Sequence, residues 1–264
     1  MKPDTSLSLK PQRDGRILFL RTEMDRLLFL SMLFSCLLVG ARVIHTGRIT
    51  FLFLIWNLFL AYIPYFITSV LARRPLWVSK RSILIPVFIG WLLFVPNSFY
   101  IITDLFHLGD HHGGGGHVEN IAPHLPRFND GPTASGPVVH SDDRQAPQWF
   151  DLAMILSFVW NGLLLGVLSV RQMEHILLPQ LSLQRELLFL YPIMWLNALG
   201  IYTGRYLRYN SWDVITNPFD LLSDIAGMVI HPLRHQYAWD MILCFSILMT
   251  LMYLMMKRVH KALI

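Results

Sequence analysis

The sequence predicts an all-α polytopic membrane protein, a bundle of six transmembrane helices with one further interfacial or re-entrant helix. The first observation is composition: 54% of the 264 residues are hydrophobic and 15% are charged, whereas soluble domains carry about 25% charged residues. The second is that the apolar residues occur in blocks of roughly 16 to 23, which is the length of a membrane-spanning helix. Both observations exclude a cytosolic globular enzyme, a disordered chain and a disulfide scaffold.

The predicted spans follow one another along residues 27–256, the predicted transmembrane domain. Helices are expected because an open strand in lipid would leave backbone groups unpaired. Segment 1–26 lacks the short apolar core of a cleaved signal peptide, so it is predicted to be a tail before a retained first span, and 257–264 is a second tail. The six predicted spans are 27–44, 49–71, 83–102, 150–170, 187–204 and 240–256.

Prolines and glycines within the spans carry two different expectations. Proline lacks a backbone donor, so four prolines are expected to kink or end their helices. Small residues four positions apart allow close helix contact, which is the role expected for Gly162 with Gly166 and for Gly200 with Gly204. The four prolines are Pro64, Pro86, Pro96 and Pro192.

Two long connections separate the later spans. Residues 109–148 are rich in Gly, Pro and His, which predicts a flexible outer loop. This loop either collects transition-metal ions weakly through its histidines or is simply solvated. Residues 214–230 are apolar but interrupted by Asn217, Pro218, Asp220 and Asp224. They predict an interfacial or re-entrant helix that starts near Pro218, with a seventh span as the alternative.

The distribution of cations predicts the orientation. With the N-terminus inside, fifteen of the 22 Lys and Arg residues lie in inner segments, which favours both termini in the cytoplasm. The net charge of +5 is therefore explained by topology, and nucleic acid is not a predicted partner. The lipid bilayer is the predicted surrounding, and the oligomeric state is left open.

Polar residues collect where spans 3, 4 and 5 end or begin on one side of the membrane, predicted to be the outer side. Polar groups near lipid are costly, so such clusters are candidate functional sites. We expect an outer-facing polar pocket built from these ends and the segment 205–224. Its candidate residues include Asn97, Tyr100, Asp104 and His107 of span 3, Asp151 and Asn161 of span 4, and Arg205 and Arg208 of span 5.

The acidic and histidine residues of this cluster suggest catalysis or metal binding. Asp104 and His107 are three residues apart and share a helical face. With Asp151 they could transfer protons as an acid–base set. A metal site would need Asp151 or His231 as third ligand. The simpler alternative is helix capping with an interfacial histidine, and no metal site is predicted.

The remaining polar residues suggest ligand contact or packing. Arg205 and Arg208 could hold phosphate, a lipid headgroup or a carboxylate, or could form ion pairs and extend to headgroups. Asn97 follows Pro96 and suits a helix break, while Asn161 could bond across helices or contact a substrate.

Three motifs are similar to a known family. The stretches "PNSFYIITDLFHL", "WFDLAMILSFVWNGLLLGVLSV" and "GRYLRYNSWDV" resemble the bacterial DUF1361 family of predicted multi-pass membrane proteins, over most of the chain from span 2 to span 6. The resemblance implies a bacterial cytoplasmic (inner) membrane. No function is assigned to the family, so no cofactor is implied. The resemblance adds three further signature positions to the residues above: Asn210, Trp212 and Asp213.

Three classes of function follow. The first is a non-catalytic membrane protein whose pocket binds a small polar or anionic ligand or a partner, through Asn97, Tyr100, Asn161 and the 205–213 positions. The second is an intramembrane enzyme acting on a lipid or envelope precursor through Asp104, His107 and Asp151. The third is a small-solute or ion transporter, which is disfavoured because the ionisable residues lie at one membrane end. Nucleotide-binding, zincin and serine-elbow motifs are absent from the sequence.

Overall fold

The computed structural model describes residues 23–110, 147–177, 183–209 and 213–262. Across these ranges the regular structure is helical and no strand is present, which confirms the predicted all-α class. Most of the predicted N-terminal tail and of the His-rich loop 109–148 lies outside the described residues.

The helices are labelled in chain order. The first half contains α1 Glu23–Thr46, α2 Phe53–Ala72, α3 Pro75–Val78, α4 Arg81–Tyr100, a 3₁₀ segment Ile101–Phe106 and α5 His107–Asp110. The second half contains α6 Gln148–Leu177, α7 Leu183–Arg205, α8 Asp213–Thr216, α9 Pro218–Ile230, a 3₁₀ turn Pro232–His235 and α10 Gln236–Ala262.

Six of these helices are long and apolar enough to cross a membrane, and each overlaps a predicted span. They are α1, α2, α4 with its 3₁₀ extension, α6, α7, and α10 with the turn before it. The 13-residue helix α9 measures only about 20 Å at 1.5 Å per residue, too short to cross the hydrocarbon core. It begins at Pro218, where a proline is tolerated because the first helical N–H needs no partner.

The centre of the bundle is formed by α4 and α6. One apolar core joins α4 and α6 to α7 and α10, with Trp91, Phe99 and Tyr253 fully buried. A second core joins α6 to α1, α2 and the 3₁₀ segment around Phe158 and Ile101. The order of packing is therefore α1 and α2 on one side of the central pair, and α7 with α10 on the other.

Glycine faces hold the C-terminal part of α4 from both sides. A Cβ at Gly162 would lie 2.8 Å from the carbonyl oxygen of Ser98, and one at Gly166 would lie 2.9 Å from the Phe99 ring. On the opposite side, a Cβ at Gly200 of α7 would lie 2.8 Å from Pro96. Gly162, Gly166 and Gly200 thus perform the close-packing role expected from the sequence, whereas a Cβ at Gly204 would lie 3.4 Å from the Tyr100 ring in ordinary contact.

The prolines do not terminate the spans. Pro64 lies inside α2, Pro86 and Pro96 lie inside α4, and Pro192 lies inside α7. Of the two expected effects, ending the helix is therefore wrong at all four positions, and the kink stays a prediction. Prolines are tolerated in membrane helices because neighbouring groups can re-satisfy the freed backbone atoms. The Asn97 side chain donates to the nearby carbonyl oxygen of Phe94 at 3.1 Å, which is a local bond within α4.

Gly162 provides a test of this packing, with Gly40 of α1 as its control. Gly162→Ala should lower the free energy of unfolding by about 1–3 kcal/mol, because the methyl group forces α6 away from α4. Gly40 faces open space, so Gly40→Ala should be neutral or should stabilise by up to about 1 kcal/mol through helix propensity. Thermal unfolding in detergent micelles measures both. Equal behaviour of the two variants would contradict the clamped arrangement.

Candidate functional site

The 3₁₀ segment after α4 buries Asp104. Its side chain is 1% exposed, and its Oδ2 accepts a hydrogen bond from Nδ2 of Asn57 in α2 at 3.1 Å. Its Oδ1 is buried and has no hydrogen-bond partner among the described residues. A buried polar atom without a partner is energetically costly, so Oδ1 is an acceptor available to a ligand or a proton.

Arg205, the last residue of α7, contacts His107 on the same side. Its Nη1 lies 3.3 Å from Nε2 of His107. Because guanidinium can only donate, this contact assigns Nε2 as acceptor and the ring proton to Nδ1. The His107 ring stands edge-on to Phe53 at 5.1 Å, and the Arg205 guanidinium lies 5.7 Å from the Phe106 ring centre. Arg205 forms no ion pair with a carboxylate among the described residues.

A cavity of about 380 Å³ lies beside this group, between α2, α4, α7 and the α8–α9 segment. Most of its walls are apolar. The polar side chains in its lining belong to Asn57, Asn97, Tyr100, Thr203 and Tyr209. Asn57 therefore faces the cavity and also holds Asp104, while the lining residue Gly204 directly precedes Arg205.

The chain after α7 closes one end of this cavity. Arg208 has a φ of 61°, in the left-handed region, and reverses the chain so that the Tyr209 amide donates to the Thr203 carbonyl oxygen at 3.1 Å. The Tyr209 hydroxyl donates to Oδ2 of Asp224 at 2.9 Å. This hydrogen bond to the carboxylate raises the pKa of Tyr209. Together these contacts attach α9, whose Leu221 and Ile225 complete the wall.

Asp151 lies in a separate ion pair. The Arg42 Nε lies 2.7 Å from Oδ1 of Asp151 and the Arg42 Nη2 lies 3.1 Å from Oδ2. Both side chains are buried, and the guanidinium stacks 4.2 Å from the Phe51 ring centre. Sequence reasoning counted Arg42 with the outer cations although it lies within the predicted span 27–44, and the structure places it in α1. Its signal was a lone cation within that otherwise apolar span, which normally requires a partner.

Asn161 also faces α1. Its Nδ2 donates to Oγ of Ser35 at 2.9 Å and to the carbonyl oxygen of Ser157 at 3.0 Å. Of the two roles open from the sequence, this geometry favours the bond across helices. Asn161 does not line the cavity.

The predicted site residues therefore separate into groups. Asn97 and Tyr100 line the cavity, whereas Asp104, His107 and Arg205 lie next to it. The cavity wall contains α2 (predicted span 2) instead of α6 (predicted span 4). Sequence reasoning missed Asn57 of α2, which is a single amide in an apolar run. Asp213 accepts from Thr216 outside the cavity, Arg208 is exposed, and Asn210 and Trp212 lie outside the described residues.

The metal hypothesis gains no support from this arrangement. Among the described residues, no three His, Cys, Asp or Glu side chains are grouped closely enough to hold an ion. Asp151 is held by Arg42, and Nε2 of His107 is held by Arg205. The histidines of the loop 111–146 lie outside the described residues.

Comparison with known proteins gives one family. A family model described as a protein of unknown function (DUF1361) matches residues 56–252. This range contains most of α2 and most of α10, with every helix between them, and leaves out α1. No curated protein and no solved structure matches the chain significantly.

The Arg42–Asp151 pair predicts a large loss of stability when one partner is neutralised. Asp151→Asn or Arg42→Gln should lower the free energy of unfolding by about 3–5 kcal/mol, because the remaining charge stays buried without a partner. The exposed pair Arg26–Glu23 at 3.2 Å is the control, and Arg26→Gln should cost no more than about 1 kcal/mol.

Unfolding in detergent micelles measures these variants and the double variant Arg42→Gln/Asp151→Asn. The double variant should be less destabilised than the sum of the single ones, because neither charge is then left alone. Additive losses would contradict direct pairing.

Proposed function

We propose that this chain, which belongs to the DUF1361 family of unknown function, is an integral membrane protein that binds an amphipathic anionic ligand. The ligand's apolar part occupies the cavity between α2, α4, α7 and α9, and its polar end meets Arg205 and Asp104. The observation that carries this proposal is the position of an arginine without a carboxylate ion-pair partner, among the described residues, at the edge of a largely apolar cavity.

The cavity supports the apolar half of the proposal. Its volume of about 380 Å³ lies within the 300–1,000 Å³ range of small-molecule sites, which combine apolar walls with a few directed polar groups. Asn57, Asn97 and Tyr100 supply such groups. An entirely polar solute would leave the surrounding leucines without apolar contact, so an amphipathic molecule fits better than the small polar ligand that composition alone suggests.

The flanking charges support the polar half. Guanidinium binds phosphate and carboxylate groups with two parallel hydrogen bonds, and the Phe106 ring centre lies 5.7 Å from the guanidinium of Arg205. Asp104 lies within electrostatic range of Arg205. A ligand whose anionic group binds Arg205 is therefore favoured when it also donates a hydrogen bond to Asp104. The proposed headgroup therefore carries an anionic group together with a hydroxyl or amine.

The orientation is part of the proposal. We place both termini in the cytoplasm of a bacterial cell and the Arg205 end of the cavity on the outer side of the inner membrane. The location of Arg42 inside α1 supports this, because it removes one cation from the outer segments. A C-terminal green fluorescent protein fusion should fluoresce, whereas a C-terminal alkaline phosphatase fusion should be inactive. The reverse pattern would place the Arg205 end of the cavity on the cytoplasmic side.

The binding test uses decyl phosphate, with decanol as the uncharged probe of equal chain length. Decyl phosphate should raise the unfolding temperature of the purified protein more than decanol does. Arg205→Gln should remove this difference, whereas Arg234→Gln, which neutralises an exposed arginine away from the cavity, should retain it. The loss should be at least about tenfold in affinity, since one charged hydrogen-bonded contact contributes about 1.5–3 kcal/mol.

A second pair of variants tests the cavity itself. Leu221 lines the cavity, whereas its neighbour Leu222 is 61% exposed. Leu221→Trp should fill the cavity and abolish stabilisation by both probes, and Leu222→Trp should leave it unchanged. Stabilisation that survives in both Leu221→Trp and Arg205→Gln would refute the proposed site.

The alternative is an intramembrane enzyme acting on a lipid or envelope precursor, with Asp104 and His107 transferring protons. The unpartnered Oδ1 of Asp104, one helical turn before His107, is the observation that favours it. In that case purified protein would release inorganic phosphate from decyl phosphate, and His107→Gln would abolish the release without reducing binding. Binding without release leaves the ligand-binding proposal in place.

A further inference from the structure

A second cavity lies at the opposite end of the α2–α4 pair. This cleft has a volume of about 270 Å³ and is formed by the C-terminal part of α2, the short helix α3 and the N-terminal half of α4. Phe66 and Val70 line it from α2, Trp77 from α3, and Val87 and Gly90 from α4. All of its lining residues are apolar, so it differs from the first cavity, where amides and phenols face the interior.

Three cations lie in or directly after the connection from α2 to α4 that borders this cleft at Trp77. Arg74, Lys80 and Arg81 are exposed, and the Arg74 guanidinium lies 4.4 Å above the Trp77 ring. Within the described part of the chain, none of the three forms an ion pair with a carboxylate. Arg73 differs, because its Nη2 lies 3.5 Å from Oδ2 of Asp25. The cleft therefore combines an apolar interior with cationic groups that are free to meet an anion.

We propose that this cleft is a binding site for an anionic phospholipid of the bilayer. One acyl chain occupies the space between α2 and α4, and the phosphate lies among Arg74, Lys80 and Arg81. The axial spacing is compatible with the length of such a lipid: Gly90 lies about 14 Å further along α4 than Arg81 at the helix start. An acyl chain that begins near the α2–α4 connection can thus run along α4 to Gly90.

Charge complementarity selects the lipid class. Each basic residue near a membrane surface attracts anionic lipids electrostatically. This attraction is lost for lipids without net charge. Phosphatidylcholine could place an acyl chain in the same cleft, but its own ammonium group faces the three cations. Phosphatidylglycerol has the same glycerol backbone and chains with a net negative charge, which makes the two lipids a matched pair of probes.

Gly90 provides a direct way to close the cleft. A Cβ built at Gly90 meets no atom within 4 Å, and Gly90 lines the cleft, so a larger side chain is expected to extend into it. Gly90→Leu is therefore expected to fold and to occupy the position of the acyl chain. Gly40→Leu is the matched control, because Gly40 of α1 also faces open space but lines neither cavity.

Native mass spectrometry of the purified full-length protein can count bound lipid after addition of dioleoyl phosphatidylglycerol or dioleoyl phosphatidylcholine. The native chain should retain phosphatidylglycerol at least about tenfold more tightly than phosphatidylcholine, as expected for several cations at the headgroup. The triple variant Arg74→Gln/Lys80→Gln/Arg81→Gln should lose this preference. Gly90→Leu should lose the retained lipid, whereas Gly40→Leu should keep it.

Two results would overturn the proposal. Equal retention of both lipids by the native chain would show that the cations select nothing, and retention by Gly90→Leu equal to that of Gly40→Leu would place the lipid elsewhere. Leu221→Trp should not change phosphatidylglycerol retention, since it fills the first cavity only. This variant separates a failure at the cleft from a failure of the ligand-binding proposal.

Discussion

The rest of the bundle depends on the clamping of the C-terminal part of α4 between two glycine faces. Gly162 of α6 and Gly200 of α7 each approach it so closely that a Cβ would lie 2.8 Å from its atoms. This contact fixes the direction in which the 3₁₀ segment leaves α4 and therefore where Asp104 is buried. It also brings the end of α7 beside that segment, so that Arg205 reaches His107. Close packing of small residues is a main source of helix association in lipid, because the apolar surroundings give no driving force of their own.

Buried charges connect the outer helices to this centre. Arg42 of α1 pairs with Asp151 of α6, and at the other end of the bundle Lys257 of α10 lies 2.6 Å from Glu174 of α6 and 2.8 Å from Glu186 of α7. Charges near lipid persist when they are paired, and losing one partner costs more than the pair itself contributes. The family match leaves out α1, so the Arg42–Asp151 pair attaches a helix outside that match to a helix inside it.

The sequence predicted the positions of the spans better than it predicted which helices pack against one another. Length and hydropathy were sufficient for six helices, and Pro218 marked the start of α9, because these are local properties of the chain. The gathering of polar span ends predicted one cluster, of which His107 and Arg205 are in contact whereas Asp151 pairs with Arg42 instead. Alternating direction says which end of a helix a residue occupies, however, and does not say which helix faces it. Arg42 and Asp151 are separated by 109 positions, and only packing brings them together.

The two cavities are opposite ends of the same contact between α2 and α4. Because these helices are antiparallel, Asn57 and Leu60 of α2 face the side of the first cavity, while Phe66 and Val70 face the second. The first end is closed by α7 and α9 and contains amides and phenols, which suits a ligand held in one orientation. The second end has no polar lining, and Arg74 lies over its Trp77, which suits a lipid that enters sideways from the bilayer. A single helix pair thus borders two cavities whose different linings follow from what covers each end.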